Sequence, residues 1–278
     1  MSKAETTKPT AAPPFRPLRT RNLYDPVANA PGPENKPFTL SRSKLEDFVR
    51  CPRCFYLDRR LGLTRPGIPA FTLNSAVDTL LKKEFDLHRT AGRPHPIFAK
   101  YGISAVPFTH AELDEWRKTP SGGAAYLDEP SGFLVKGIID DVWLLRVEGK
   151  LIIADYKATS TTKVITLEDH WKAAYKRQME VYQWIFRRLG HDVSPTGYFV
   201  YCNGRTDLEA FEGRLEFNIE LIPYDGDDAW VESALLSARK CLAAGSRRSR
   251  PRRASTARIR PPGGGWSLPF RPLNVQFC

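Results

Sequence analysis

The sequence contains no apolar segment that approaches the roughly 18–20 residues of a membrane-spanning helix. Its start, MSKAETTKPTAAPPFRPLRT, has no apolar central stretch, so we do not expect a secretory signal. The five cysteines are an odd number, which does not supply the even framework of a small disulfide-rich secreted fold. These absences favour a protein of the reducing cytoplasm without a membrane segment.

Two further absences concern chemistry. There is no phosphate-cradling loop of the Walker A type, so ATP-driven unwinding of a nucleic acid would need another protein, such as a helicase. None of the five histidines has a partner pattern typical of catalysis. A chain of 278 residues with 41% hydrophobic residues is nevertheless long enough for one fairly large domain with a substantial core.

The net charge of +11 is unevenly distributed along the chain. Residues 246–278 hold eight of the 42 basic residues, all arginines, and no Lys, Asp or Glu, so residues 1–245 hold 34 basic residues against 31 acidic ones. The overall charge therefore says little about the partners of the main body. The Arg/Pro/Gly-rich segment 246–278 is predicted to be either a disordered basic tail with affinity for polyanions or the product of a shifted reading frame.

Residues 1–37 are rich in Pro, Thr and Ala without a hydrophobic period and are predicted to be a disordered lead-in. The domain between the two tails, residues 38–245, alternates helical and strand patterns. Ser43 followed by Glu46 resembles a capping box that opens a first helix. Residues 91–130 are predicted to be an irregular insertion with one short helix near 112–117.

Later segments complete an α/β pattern. Helical periods cover 74–89, about 166–190 and 227–245, while strand patterns cover 133–158, 196–204 and 214–224. The segment 133–158 is predicted to form two strands joined at Glu148-Gly149. Helices and strands in this order predict an α/β domain with a mixed sheet.

Residues 151–160, LIIADYKATS, place two charged residues at the end of an apolar strand. Because strand side chains alternate, Asp155 and Lys157 point to the same face. If the two strands pair across their turn, Asp140 in GIIDDVW comes close to Asp155. Two facing carboxylates repel unless positive charge lies between them, and Lys157 together with a hard cation such as Mg²⁺ would supply it. For an isolated D-x-K motif, a plain solvated ion pair is the favoured alternative.

Gln178 strengthens the case for a site. It falls within the apolar stripe of the helix predicted from Leu167 to Leu189, four residues before Tyr182, so both side chains project from one face towards the sheet. A buried amide needs hydrogen-bond partners, which a ligand or an ordinary strand carbonyl would provide.

In order, Asp140 in GIID, Asp155 and Lys157 in DYK, and Gln178 and Tyr182 in QMEVY resemble the motifs of the PD-(D/E)XK nuclease superfamily. The similarity is to its RecB-like branch, which includes CRISPR-associated exonucleases and whose N-terminal helix resembles SRSKLEDFVRCPRCFYLDRR. The resemblance implies a restriction-endonuclease-like core, a mixed β-sheet flanked by helices. It also implies a Mg- or Mn-dependent (exo)deoxyribonuclease in DNA repair, recombination or CRISPR-type DNA processing.

The resemblance also assigns metal ligands. Asp140, Asp155 and the backbone carbonyl of Tyr156 would hold Mg²⁺ or Mn²⁺. RecB-like members usually have a histidine ligand on an early helix, and here Asp78 stands at that place. Asp78 is a competent ligand for either ion, and a solvent-facing role for it is the alternative.

The remaining site roles follow from the same resemblance. Lys157 would orient or activate the attacking water and stabilise charge at the scissile phosphate, while Gln178 and Tyr182 would position the metal site and the substrate backbone. The residues that could contact single- or double-stranded DNA are Arg53, Lys82, Lys176 and Arg177, although most charged residues on helices are simply solvated.

Cys51 and Cys54 form a C-x-x-C pair, which is half of a zinc or iron–sulfur site. Several RecB-like relatives hold a [4Fe–4S] cluster with a first cysteine in this context and a closely spaced C-terminal trio. This chain offers Cys202, Cys241 and Cys278 at other spacings, so an iron–sulfur cluster is expected to be incomplete. Small buried thiols are the alternative.

Two other functions remain open from the sequence. The first is a catalytically weak nucleic-acid-binding module of a DNA-processing complex, with a helicase or recombination partner. The second is a structural domain in which the Asp155–Lys157 pair only stabilises the sheet.

Overall fold

The computed structural model describes residues 23–64 and 72–244. The strands are β1 (Phe38–Ser41), β2 (Ala105–Pro107), β3 (Ala124–Asp128), β4 (Phe133–Gly137), β5 (Asp141–Leu145), β6 (Leu151–Thr159), β7 (Thr196–Gly204) and β8 (Phe217–Asp225). The helices are α1 (Arg42–Arg50), α2 (Pro52–Leu61), α3 (Thr72–Thr90), α4 (Pro96–Lys100), α5 (Leu113–Arg117), α6 (Ala173–Arg188) and α7 (Trp230–Ala244), with a single 3₁₀ turn at His170–Lys172 before α6. No described helix has the length and apolar character needed to cross a membrane.

A five-stranded sheet in the order β2-β5-β6-β7-β8 forms the centre of the domain. Strands β6 and β7 pair in parallel, whereas the other neighbours are antiparallel. The parallel pair requires a crossover connection, which α6 supplies. The first six residues of β6, LIIADY, are all buried, as expected of a central strand covered on both faces.

The two faces of this sheet are covered by different helices. On one face Ile153 and Phe199 belong to the same buried cluster as Tyr182 and Ile185 of α6. On the other face Trp143 stacks on a phenylalanine of α3, Phe85, with ring centroids 5.4 Å apart. Alternation along β6 therefore sends Asp155 and Lys157 towards α6.

A second sheet of three strands, β1-β4-β3, packs under α6. The segment 133–145, expected as a single strand, divides at residues 138–140, and its halves β4 and β5 enter different sheets. Gly137, the last residue of β4, packs closely against α6, because a Cβ atom added there would lie 2.8 Å from the Tyr182 ring. The predicted α/β class, a mixed sheet flanked by helices, is confirmed, with two mixed sheets in place of one.

Residues 91–130 differ from the irregular insertion that was predicted. The short helix expected near 112–117 is present as α5, but α4 and the strands β2 and β3 also form here. Strand β2 extends the five-stranded sheet and β3 closes the three-stranded one. Each strand is short, at three and five residues, which is why a hydrophobic alternation was not evident in the sequence.

The described structure begins before the predicted start of the domain at residue 38. Tyr24 is buried against Phe38 and Phe133, with ring centroids 5.4 and 6.2 Å away. Its carbonyl accepts a hydrogen bond of 2.8 Å from Arg60 of α2. Residues 23–37 therefore differ from the predicted disordered lead-in, while residues 1–22 and the basic segment 246–278 lie outside the described residues.

Candidate active site

The predicted catalytic residues converge where α6 passes over the start of β5 and the middle of β6. Asp141 of β5 pairs with Ala154 of β6, so Asp140, one residue earlier, lies beside Asp155. Asp140 holds this position by accepting a hydrogen bond of 2.7 Å from the backbone N–H of Tyr156. The antiparallel pairing of the two strands thus brings together two carboxylates that are 15 residues apart in the sequence.

Asp155 is fully buried and has two side-chain partners. Its Oδ2 forms an ion pair with Nζ of Lys157, and its Oδ1 accepts a hydrogen bond of 2.7 Å from Nε2 of Gln178. Burial raises the pKa of Asp155 to about 6, with Lys157 opposing the rise and Asp140 adding to it. On balance these surroundings favour the protonated carboxyl over its usual state, and the Lys157 ammonium is the main group that favours the ionised form.

Lys157 is surrounded by negative charge and aromatic rings. Burial disfavours its charged form, but the Asp155 and Asp140 carboxylates outweigh burial and raise the pKa of Lys157. Its Nζ also lies 4.6 Å from the centre of the Tyr175 ring, a favourable cation–π contact. The residue is a charged ammonium at neutral pH, so a protonated cation faces the cleft.

Gln178 has the partners that its position in the apolar stripe of α6 requires. Besides Asp155, its Nε2 contacts the hydroxyl of Tyr182 at 3.0 Å. Burial raises the pKa of Tyr182, which keeps its phenol neutral. The chain Tyr182–Gln178–Asp155 fixes the orientation of the carboxylate from the helix side.

Helix α3 contributes an acid and a base from the other side of the cleft. Nζ of Lys82 lies 3.0 Å from Oδ2 of Asp78 and 3.4 Å from Oδ1 of Asp140. Burial and the nearby Asp140 carboxylate raise the pKa of Asp78. The structure therefore places Asp78 near Asp140, one of the candidate metal ligands, while Lys82, predicted to contact DNA, forms ion pairs within the site.

A cleft of about 290 Å³ is bordered by Asp78, Asp140, Tyr156 and Lys157, and the fully buried Asp155 lies behind this lining. Its lining includes the carboxylates of Asp78 and Asp140, and carboxylate oxygens are ligands that Mg²⁺ and Mn²⁺ prefer. Within residues 23–64 and 72–244, no three His, Cys, Asp or Glu side chains are arranged as a metal cage. Mg²⁺ usually binds through one or two carboxylates and keeps several waters, so the residues present fit such an ion.

A sequence model of the PD-(D/E)XK nuclease superfamily matches residues 73–250, more than half of the chain. The chain belongs to the PD-(D/E)XK nuclease superfamily. The match covers Asp78, Asp140, Asp155, Lys157 and Gln178 and agrees with the fold described above. Superfamily members are generally metal-dependent nucleases, which makes nuclease chemistry the expected activity and DNA the expected substrate.

Other comparisons add little to this assignment. A solved structure described as "Crystal structure of SSO0001" is similar over 73% of this chain and 75% of its own, with 17% sequence identity and a TM-score of 0.33. A TM-score at that level supports no argument about this superfamily member. No curated protein matches the chain.

The other residues predicted to contact DNA, Arg53, Lys176 and Arg177, differ from Lys82, which pairs with candidate metal ligands. Arg177 forms two hydrogen bonds of 2.8 Å with the nearly buried carboxylate of Glu46, which ties α6 to α1. Lys176 lies 3.3 Å from the exposed Glu168, and Arg53 is exposed on α2. The prediction for Arg177 missed this ion pair, because Glu46 is 131 residues away and had been assigned to a capping box.

Cys51 and Cys54 lie together at the start of α2, with their sulfur atoms 2.9 Å apart. Cys241 of α7 is close by, its Sγ 3.7 Å from the carbonyl of Pro52. Cys202 lies elsewhere, buried in β7, where burial raises the pKa of its thiol to about 11, and Cys278 lies outside the described residues. A zinc or iron–sulfur site at Cys51 and Cys54 therefore stays a prediction. The cytoplasmic location of the protein also stays a prediction.

Asp141 was missed as a contributor to the site. Its fully buried carboxylate pairs with Arg89 of α3 and accepts hydrogen bonds from the Tyr156 hydroxyl at 3.0 Å and the Trp143 indole at 3.3 Å. Burial raises its pKa, and Arg89 opposes the rise. The consecutive aspartates in GIIDDVW were the available signal, since alternation sends one of them towards α3 and leaves the other in the cleft.

Proposed function

We propose that this protein is a Mg- or Mn-dependent DNA nuclease that hydrolyses phosphodiester bonds at the Asp140–Asp155–Lys157 cleft. The observation that carries the proposal is the buried Asp155 carboxylate, held between an ammonium and an amide and beside a second carboxylate. A superfamily match over the same residues supports it. A fully buried, charged carboxylate is costly to maintain for stability alone, which favours a functional role.

The residues that would hold the divalent ion are Asp140, Asp155 and the carbonyl of Tyr156, with Asp78 as a further ligand. When bound, such an ion stabilises the negative charge that develops on the phosphate oxygens during hydrolysis. The N–H of Tyr156 fixes Asp140, and Gln178 fixes Asp155, so both carboxylates are oriented before an ion arrives.

Lys157 would act on the substrate directly. Its ammonium borders the cleft, remains protonated at neutral pH, and would stabilise charge at the scissile phosphate and orient the attacking water. Gln178 and Tyr182 are positioning residues, because their contacts reach Asp155 and each other.

We further infer an exonuclease of the RecB-like branch, which acts with a helicase or recombination partner in DNA repair, recombination or CRISPR-type processing. The support is the segment SRSKLEDFVRCPRC, which forms α1 and the start of α2. In the structure α1 packs on α6, the helix that carries Gln178, and the ion pair of Arg177 with Glu46 joins the two.

One observation favours a catalytically weak DNA-binding module as a second candidate. Lys82 bridges Asp78 and Asp140, and Lys157 pairs with Asp155, so each acidic group already has a cationic neighbour. Such a neutralised cleft is stable without a divalent ion. Binding of DNA without cleavage would identify this function.

The test is cleavage of end-labelled single- and double-stranded DNA by the full chain with Mg²⁺, Mn²⁺ or EDTA. We expect metal-dependent cleavage that is lost in Asp155→Asn. The matched control is Asp114→Asn, since the Asp114 side chain is 96% exposed and belongs to α5, away from the cleft. Equal cleavage by folded Asp155→Asn and wild type would rule out the proposed centre.

A further inference from the structure

A second cavity, of about 360 Å³, lies directly beside the cleft. The two share Lys157, Ala158 and Tyr175, so the ammonium at the candidate centre borders both. The volume falls in the range of about 300–1,000 Å³ that is typical of pockets for small organic groups. The proposed phosphodiester chemistry uses only the first cleft, which leaves the second without a role.

An exposed aromatic side chain forms one wall of this cavity. Trp171, in the 3₁₀ turn before α6, is 53% exposed, and its ring meets the edge of Tyr175 at 5.6 Å and 81°. Nζ of Lys172 lies 5.0 Å from the centre of the Trp171 ring and is itself held by the Thr166 carbonyl at 2.6 Å. Trp171 is thus an exposed ring on a fixed support, which favours stacking of a planar ligand.

Two polar side chains of the cavity, Tyr201 and Lys163, lack hydrogen-bond or ion-pair partners among the described residues. Tyr201 borders the cavity and is only 3% exposed. Its buried hydroxyl has no hydrogen-bond partner within the part of the chain that is described. Lys163, an exposed residue of the lining, forms no ion pair with an acidic residue in the part of the chain that the structure describes. An unsatisfied buried hydroxyl costs stability, so a ligand that bonds to it would recover that loss.

We propose that this cavity binds one unstacked nucleobase of single-stranded DNA, with Trp171 as the stacking surface and Tyr201 as a hydrogen-bonding group. The proposal rests on the proposed function, because the phosphate of the same nucleotide would lie at Lys157. A base inside a duplex cannot enter without breaking its pairing and stacking, which costs a few kcal/mol. The cavity therefore predicts a preference for single strands or frayed ends.

Binding measured without cleavage tests the inference separately from catalysis. The probe is a fluorescein-labelled oligothymidylate, titrated with full-length protein in EDTA and followed by anisotropy. We expect Trp171→Ala to weaken binding about tenfold and Trp171→Phe to retain most of it, since each stacked base contributes a comparable factor. The blunt duplex of the same length should bind Trp171→Ala and wild type equally.

Tyr201→Phe gives a sharper comparison. Removing an unsatisfied hydroxyl should leave or slightly raise thermal stability, yet we expect binding of the single strand to weaken about fivefold through one lost hydrogen bond. Tyr24→Phe is the matched control, because Tyr24 also has a buried hydroxyl without a described partner but lies in the core against Phe38. It should bind the single strand as wild type does.

Unchanged single-strand binding in both Trp171→Ala and Tyr201→Phe would overturn the inference, whatever the cleavage assay shows. The two proposals can fail independently. Metal-dependent cleavage with unaltered binding in these variants would reject the nucleobase pocket and keep the nuclease. Weakened binding in them, without cleavage by wild type in Mg²⁺ or Mn²⁺, would keep the pocket and reject the nuclease.

Discussion

The residues around Asp155 have two different roles: one neutralises the charge of its carboxylate and others fix the orientation of that carboxylate. Lys157 balances the buried carboxylate, whereas Gln178 only directs it, since an amide carries no net charge. The hydroxyl of Tyr182 accepts a hydrogen bond from Gln178, and no described hydrogen bond joins Tyr182 to Asp155. The three side chains should therefore differ in how strongly their loss affects the reaction.

Replacing the orienting amide should slow cleavage without removing it. We expect Gln178→Ala to lower kcat about 10- to 100-fold, in the range found for groups that orient metal-binding ligands. Tyr182→Phe should lower kcat less, because the bond from Gln178 to Asp155 remains. Steady-state cleavage kinetics check the order, and a larger loss in Tyr182→Phe than in Gln178→Ala would contradict it.

Asp141 is the residue whose loss should affect stability most directly. Asp141→Ala leaves the buried guanidinium of Arg89 without one partner and removes acceptors from Tyr156 and Trp143. We expect the free energy of unfolding to fall by about 3–5 kcal/mol. Urea denaturation measures it, with Asp114→Ala expected within about 0.5 kcal/mol of wild type because that side chain is exposed.

The elements show why parts of the fold could be predicted and others could not. The apolar run of β6 and the stripe of α6 are long, so local sequence indicated both, together with the face on which Asp155 and Gln178 meet. The first helix was placed correctly, but its predicted capping box does not form. Ser41 is the N-cap, and Glu46 turns instead to Arg177 of α6.

Breaks between elements were harder to predict, because contacts distant in sequence decide them. The segment FLVKGIIDDVWLL has continuous strand character, yet it divides where α6 crosses Gly137. The ion pair that bridges Lys82 to Asp140 likewise joins residues 58 positions apart, for which the sequence carries no local signal. The superfamily motifs could be recognised by their order, whereas the partners of the basic residues could not be predicted.

The contact of β4 with α6 gives a prediction at the level of elements. In Gly137→Ala the new methyl group would lie 2.8 Å from the Tyr182 ring and 3.0 Å from Ile185, so the helix has to shift. We expect a loss of about 1–3 kcal/mol in the free energy of unfolding and a lower kcat, since Tyr182 supports Gln178.

Gly204→Ala in β7 is the control for this substitution. Its added methyl group would meet its nearest neighbour, a Phe217 ring carbon, at 3.5 Å, an ordinary contact. Thermal unfolding and cleavage kinetics of the two variants provide the comparison. Wild-type stability in Gly137→Ala would show that α6 is not held tightly against β4.

Across the whole molecule, most of the net positive charge lies in the segment 246–278, which has eight arginines and no acidic residue. Changing Arg252, Arg253, Arg258 and Arg260 to Gln in the full chain should weaken DNA binding at low salt. Each arginine that contacts a phosphate contributes about 0.9 to the slope of log K against log salt, so the slope should become shallower.

Anisotropy titrations at several salt concentrations measure this slope. The rate of cleavage at saturating DNA should not change, because the site lies within residues 72–244. An unchanged salt slope in the arginine variant would show that the segment does not contact DNA.

We propose that the buried Asp155–Lys157 pair belongs to a catalytic centre and is not only a structural ion pair. The measurement that tests it most directly is single-turnover cleavage of labelled single-stranded DNA in Mn²⁺ by wild type, Lys157→Met and Lys150→Met. Lys150 is the control, because it makes only a long, 4.0 Å pair with Glu148 beside the β5–β6 turn.

We predict that Lys157→Met remains folded, binds the DNA and cleaves it at least about 100-fold more slowly, while Lys150→Met cleaves at the wild-type rate. Cleavage at the wild-type rate by a folded Lys157→Met protein would contradict a catalytic role for the Asp155–Lys157 pair.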